Sequence, residues 1–233
     1  MNIEKTSTRP LVLSIDTSQK ALCMAILKGS STLLSVIDQS EAPHSRRLFP
    51  LLQESLNSLQ LDSGDIELLA VNTGPGSFTG LRVGLAATMG LGATLGTQTI
   101  GINAIDATAL STNVFGLPII VLINASRCEV FGGIRRIQPD RTINTIGRDM
   151  AGTVETVRQN LLHELGETKA ILVGDGEVFQ QIDSSQGNWV HIAPPDSLAP
   201  VIGLAAISGV GRKSASVSAY YIRLSEAELK VRK

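Results

Sequence analysis

Ile15-Asp16-Thr17-Ser18, followed by the apolar run 22–26, returns as Ile123-Asn124-Ala125-Ser126 followed by the run 130–134. Each copy reads as a strand, a polar turn of Asp or Asn, a small residue and Ser, and a second strand. The offset is 108 residues in both parts. Working outward, the first half has extended runs at 11–15, 21–27 and 32–37 joined by short polar turns, which is an antiparallel meander. Leu48, Leu51, Leu52, Leu56 and Leu59 then fall at helical spacing, with Pro50 near the first turns. A buried strand at 68–71 follows, then a helix at 78–95 capped by Ser77 or Thr79, a strand at 98–102 and a short helix at 103–110. The pattern restarts with strands at 118–123 and 128–134, a helix at 153–165 and a strand at 170–173. Pro194-Pro195-Asp196-Ser197 stops the chain and caps a helix at 198–208. Residues 220–223 read as extended, and the tail from Ser225 as a short polar helix.

A chance likeness of two hairpins would explain a dozen similar residues. A duplication explains the repeated order of elements as well, and predicts two βββαβα lobes. Lobe I is expected over 1–105, with part of the returning segment 196–233, and lobe II over 106–195. The fold class is α/β, with mixed sheets flanked by helices. A duplicated two-lobe α/β body is the architecture of actin-like phosphotransferases, an analogy that by itself says little about activity.

Composition narrows the function. Of the 233 residues 43% are apolar and only 3% aromatic, so the core is built from Leu, Ile, Val and Ala. Net charge is −1; residues 1–109 hold 7 basic and 9 acidic side chains, and neither half is a basic surface. Counterion release and base stacking, the two main sources of nucleic-acid affinity, are therefore weak for this chain alone. Two cysteines, Cys23 and Cys128, make neither a disulfide scaffold nor a Cys-rich zinc site and suit a reducing compartment. Residues 1–10 lack an apolar signal core, and no apolar stretch approaches the roughly 18 residues of a membrane span. The expected location is cytoplasmic, with no membrane contact.

Gly74-Pro75-Gly76-Ser77-Phe78-Thr79-Gly80 lies between a strand and a helix, where free backbone N–H groups suit an anion. It lacks the Gly-Lys-Ser/Thr ending of a P-loop and the third glycine of a dinucleotide fingerprint. In the helix behind it, Gly80, Gly84, Thr88, Gly92 and Gly96 recur every four residues. Mid-helix glycine costs up to about 1 kcal/mol, which close packing must recover. Packing inside the monomer is one account. A helix–helix subunit interface is the other, and predicts that Gly84→Leu dissociates an oligomer and leaves the lobe folded. His44, His163 and His191 have no second His at metal-ligand spacing, and no Gly-x-Ser-x-Gly elbow is present. Asp16 either accepts backbone N–H groups in an Asx turn or holds a hydrated Mg²⁺ beside phosphates. Gly174-Asp175-Gly176 reads as a strand-terminal turn.

Four motifs in order, Ile15-Asp16-Thr17-Ser18, the run 44–50, residues 74–84 and the run 124–130, together with the close at 221–228, resemble the bacterial TsaB (YeaZ) family over nearly the whole chain. The resemblance implies an actin-like two-lobe subunit of the machinery that places threonylcarbamoyl on adenosine 37 of tRNAs reading ANN codons. It implies no catalysis in this chain and a TsaD-type partner that performs the transfer with a metal held by two histidines. A TsaE-type ATPase joins the pair, a homodimer forms in isolation, and tRNA is engaged through the complex. Cofactors are then none on this chain, with ATP and metal on the partner subunits. The shared surface implied is a helix bundle of lobe I, which assigns His44, Leu48, Leu51, Leu52, Phe78, Gly80, Arg82, Gly84, Thr88 and Gly92 to the interface. Asp16, Thr17, Ser18, Gly74 and Gly76 are candidate nucleotide-proximal residues. Two departures stand out: Asn124 replaces the family's usual Asp of the second hairpin, and Arg46, Arg47 and Leu48 stand where a metal-binding paralogue has a second His. Rival readings are an actin-like small-molecule kinase or ATPase, and a homodimeric binding module unrelated to tRNA.

Overall fold

A computed structural model gives the structure of the chain and describes residues 9–126, 129–174, 188–210, 212–213 and 217–222. Leu11–Asp16 (β1), Leu22–Lys28 (β2) and Ser31–Asp38 (β3) form an antiparallel meander, followed by the helix His44–Ser58 (α1). Leu68–Gly74 (β4) joins the other side of β1 in parallel. The helix Phe78–Leu95 (α2) leads to Gln98–Asn103 (β5), which lies beyond β4, and to the helix Ala104–Ser111 (α3). Pro118–Ser126 (β6), Glu129–Ile137 (β7) and Ile143–Thr153 (β8) repeat the meander, and Val154–Leu165 (α4) repeats α1. Ala170–Gly174 (β9) is parallel to β6 and Trp189–Ile192 (β10) parallel to β9. Ala199–Ile207 (α5) follows, and Arg212–Lys213 (β11) pairs antiparallel with β5. The orders β3-β2-β1-β4-β5 and β8-β7-β6-β9-β10 are the same order, so the duplicated α/β design is present in the sheets themselves.

The described residues of Met1–Thr73, Thr79–Ile102 and Ser197–Ala219 form one unit; those of Gly74–Phe78, Asn103–Asp196 and Tyr220–Lys233 form the other. In the first unit Leu11, Leu13 and Ile15 of β1 join Leu22, Met24 and Ile26 of β2 under Leu48, Leu51, Leu52 and Leu56 of α1. The opposite face of β1 is covered by α5, where the Ser14 hydroxyl donates to the Ala199 carbonyl at 2.6 Å. A strand covered on both faces reads as a nearly continuous apolar run, as Leu11–Asp16 does. In the second unit Ile120, Leu122, Val130 and Ile134 pack under Val157, Leu161 and Leu165 of α4, and α3 packs on β6, β7 and β9. Asn103 caps α3 by accepting the Ile105 N–H at 2.7 Å, and Thr153 caps α4 by accepting the Thr156 N–H at 3.2 Å.

The repeat is not in one register. Leu22 and Ile26 correspond to Val130 and Ile134 at an offset of 108, as the sequence suggests. In the strand before them, the residues facing the equivalent helix are Leu13 and Ile15 in β1 but Ile120 and Leu122 in β6, an offset of 107. Ile15 pairs with Met24, whereas Leu122 pairs with Gly132, so the second turn carries one more residue; an irregularity between Asn124 and Ser126 takes it up. A one-residue slip exchanges the faces of a strand. Asn124 is therefore not the counterpart of Asp16; Ile123 is, and Asn124 stands opposite Thr17 in the repeat.

Three strands are absent from the sequence reading, the two-residue β11 among them. Strand β8 is an edge strand whose Asn, Thr, Gly, Arg and Asp give no clean alternation, and β10 has only four residues. Residues 220–222 are described but form no strand, and the tail expected to be helical from Ser225, like the turn at 175–176, lies outside the described residues.

Candidate partner-docking site

The turn between β1 and β2 is closed by its own side chains. Asp16 is 4% exposed, and its Oδ1 accepts the Ser18 N–H at 2.9 Å and Asn72 Nδ2 at 3.0 Å. Asn72, on β4, also donates to Ser18 Oγ at 3.0 Å. Burial pushes the Asp16 carboxyl above the ordinary Asp range, against smaller downward pulls from Ser18, Asn72 and His44. The Asx turn open to Asp16 is formed. Thr17, also buried, donates from Oγ1 to the Gly80 carbonyl of α2 at 2.7 Å. His44 Nε2, at the start of α1, lies 3.1 Å from the Lys20 carbonyl oxygen. Arg47 Nε donates to Asp38 Oδ2 at 2.8 Å, which ties α1 to the end of β3 and, with Ser40, brings the Asp38 carboxyl down to about 2.

The two helices turn different residues outward from those expected. Leu48 (1% exposed), Leu51 and Leu52 lie in the unit's own core and cannot meet a partner. Gly80, Gly84, Thr88 and Gly92 are buried as well. A Cβ on Gly84 would lie well inside van der Waals contact distance of Thr17 Oγ1. A Cβ on Gly92 would sit 2.7 Å from Thr99 Oγ1 and 3.0 Å from the Thr97 carbonyl. Thr88 Oγ1 donates back to the Gly84 carbonyl at 2.7 Å. The glycine ridge thus seats α2 on its own sheet, and the subunit-interface account of that ridge is wrong. Gly84→Leu would strike the β1–β2 turn before it affected any oligomer. The outward face is the opposite one: Arg82, Ala86, Met89 (39%), Gly90 and Ala93 are exposed on α2, with Phe49 (50%), Pro50 and Gln53 on α1. Positions 82, 86, 89 and 93 recur at one-face helical spacing. Phe78 is half-buried, with its ring centroid 5.2 Å from that of Tyr221. Gly74 ends β4 at a φ of 103°, which L side chains avoid, and Gly76 lies in the loop to α2.

Sequence reasoning missed Asn72, Phe49 and Met89; the apolar residues of α2 that fall off the glycine row were the available signal. It also missed a cluster in the second unit. Arg135 on β7 is buried, grips Asp149 through two bonds of 2.7 and 2.8 Å, and meets Asp106 of α3 at 2.6 Å. Tyr220 Oη donates to Asp149 Oδ2 at 3.0 Å. Burial raises the Asp106 carboxyl, opposed by Arg135. The guanidinium makes four hydrogen bonds within the unit, so the cluster is a brace. Among the described residues no three His, Cys, Asp or Glu side chains gather closely enough to hold a metal ion, and no helix is long and apolar enough to cross a membrane.

Two mixed sheets of one topology, flanked by helices, define an actin-like fold. A solved activator of a Clostridium difficile 2-hydroxyisocaproyl-CoA dehydratase with bound ADPNP superposes with a TM-score of 0.53 at 11% identity, over 85% of this chain and 95% of its own. A Pseudomonas aeruginosa protein with similarity to the peptidase YeaZ superposes with a TM-score of 0.71 at 21% identity, over 92% and 100%. The tRNA threonylcarbamoyladenosine biosynthesis protein TsaB of Bacillus subtilis is 25% identical over 94% of this chain and 96% of its own length. The family model for TsaD, tRNA N6-adenosine threonylcarbamoyltransferase, matches residues 37–164, more than half of the chain. The chain belongs to that family, and within it to the TsaB (YeaZ) group.

Proposed function

We propose that this chain is a non-catalytic partner subunit in tRNA threonylcarbamoyladenosine biosynthesis, docking on a TsaD-type catalytic subunit through the outer faces of α1 and α2. The observation that supports it is the exposed face of α2. One charge, Arg82, occurs in its 18 residues, and Ala86, Met89, Gly90 and Ala93 face outward while the glycine ridge faces in. A helix apolar on all sides is one that is covered on all sides. Small outward residues let a second helix approach closely, and the exposed Phe49 of α1 offers an aromatic anchor. The role is to hold the N-terminal lobe of the catalytic subunit in its active conformation. ATP, metal and the TsaE-type ATPase belong to the rest of the complex, in the cytoplasm. In isolation the same face pairs two copies, which the partner then displaces.

The kinase or ATPase reading would need phosphate-binding groups in the β1–β2 turn. There Thr17 gives its hydrogen to Gly80, and Asp16 and Ser18 are engaged by Asn72. Calorimetry with ATP separates the readings: micromolar affinity with turnover by the chain alone would favour the enzyme. For the docking itself, sedimentation of the chain mixed with the TsaD-type subunit of the same organism is expected to show a heterodimer. Met89→Asp, which buries a carboxylate in the docking face, is expected to abolish it, and an undiminished complex would sink the proposal.

A further inference from the structure

We infer that Thr17 is a positioning residue for partner docking, acting through α2 without touching the partner; this rests on the docking reading above. Thr17 is buried, and its side chain meets α2 at two successive turns. Its Oγ1 donates to the Gly80 carbonyl at 2.7 Å, and the same atom occupies the space a Cβ on Gly84 would need. One hydroxyl therefore fixes both the distance and the rotation of the helix start. The turn that carries Thr17 is itself immobilised, by the Ser18 N–H and Asn72 bonds to Asp16 and by the Asn72 bond to Ser18. Through the Lys20 carbonyl the same turn also meets His44 at the start of α1. Five residues, 16–20, thus connect β4 and both docking helices. At its far end α2 is seated by Gly92 against Thr99 and Thr97. With both ends held, the outward positions 82, 86, 89 and 93 have one orientation, and a docking surface shared by two helices needs that.

The test compares wild type with Thr17→Ala, Thr17→Ser and Met89→Asp in two measurements. Hydrogen exchange of amides 80–88 is followed in the chain alone, and calorimetry gives the affinity for the TsaD-type subunit of the same organism. Thr17→Ala is expected to speed exchange in 80–88 at least tenfold, to leave 119–123 unchanged, and to weaken partner affinity at least tenfold. Thr17→Ser keeps the hydroxyl and is expected to restore both to within about twofold, which a merely volume-filling role would not do. Wild-type exchange in Thr17→Ala, or a loosened α2 that binds undiminished, overturns the inference. A Met89→Asp chain that binds like wild type overturns the docking reading, while the exchange data still judge whether Thr17 positions α2.

Discussion

At the scale of single residues, Asp16 is the most informative. Its folded pKa is raised, so the ionised form is the one that burial penalises. Stability from the neutral carboxyl is fully present below the unfolded value near 3.8 and is lost as pH rises through the folded value. Asp16→Asn keeps the acceptor oxygen for Ser18 and Asn72 and removes the charge. Thermal melts should place its Tm above wild type at pH 7, with the gap closing towards pH 4. A lower Tm at pH 7 would mean that the N–H donors outweigh burial. Arg135 is the opposite case, a buried charge with full partners. Arg135→Met leaves Asp106 and Asp149 without their cation and should cost about 3–5 kcal/mol in urea unfolding. Cys23 is a third: burial lifts its thiol to about 11. Its contribution to stability is intact below about 9 and falls as pH rises from 9 towards 11, so Cys23→Ala should flatten that limb of the stability profile. These roles could not be read from the sequence. Asp16 is an Asx turn or a ligand by spacing alone, and its partner Asn72 lies 56 residues away; Arg135 and Asp149 look like surface charges until β7 and β8 pair.

At the scale of elements, α2 separates what spacing reveals from what it hides. Glycines at 80, 84 and 92 announce close packing, and the helix forms where the pattern places it. Period alone does not say which body fills the groove. Thr17, on a turn far off in sequence, and Thr99, on the strand that follows the helix, decide that it is the chain's own sheet. Gly84→Leu should accordingly destabilise the monomer by at least the roughly 1–3 kcal/mol of an overpacked site, read as a shift of the urea midpoint. Met89→Asp, on the outer face, should stay within about 0.5 kcal/mol of wild type. In the same way the spacing of Leu48, Leu51 and Leu52 marks one helix face, and that face is the core. The 108-residue repeat was legible for the second strand of each hairpin. It misplaced the first by one residue, because a bulge leaves no mark in composition.

At the scale of the whole molecule, the low aromatic content and the net charge of −1 suit a subunit that serves tRNA chemistry without holding tRNA by itself. Two sheets that share one five-strand order carry one design twice, and in one copy the first hairpin braces two helices. The most direct measurement is reconstitution of threonylcarbamoyladenosine formation on tRNA with the TsaD-type and TsaE-type subunits of the same organism, threonylcarbamoyl-AMP and ATP. Modified tRNA should accumulate with this chain present, and fall to background without it or with Met89→Asp. Equal modification with and without the chain would contradict the account.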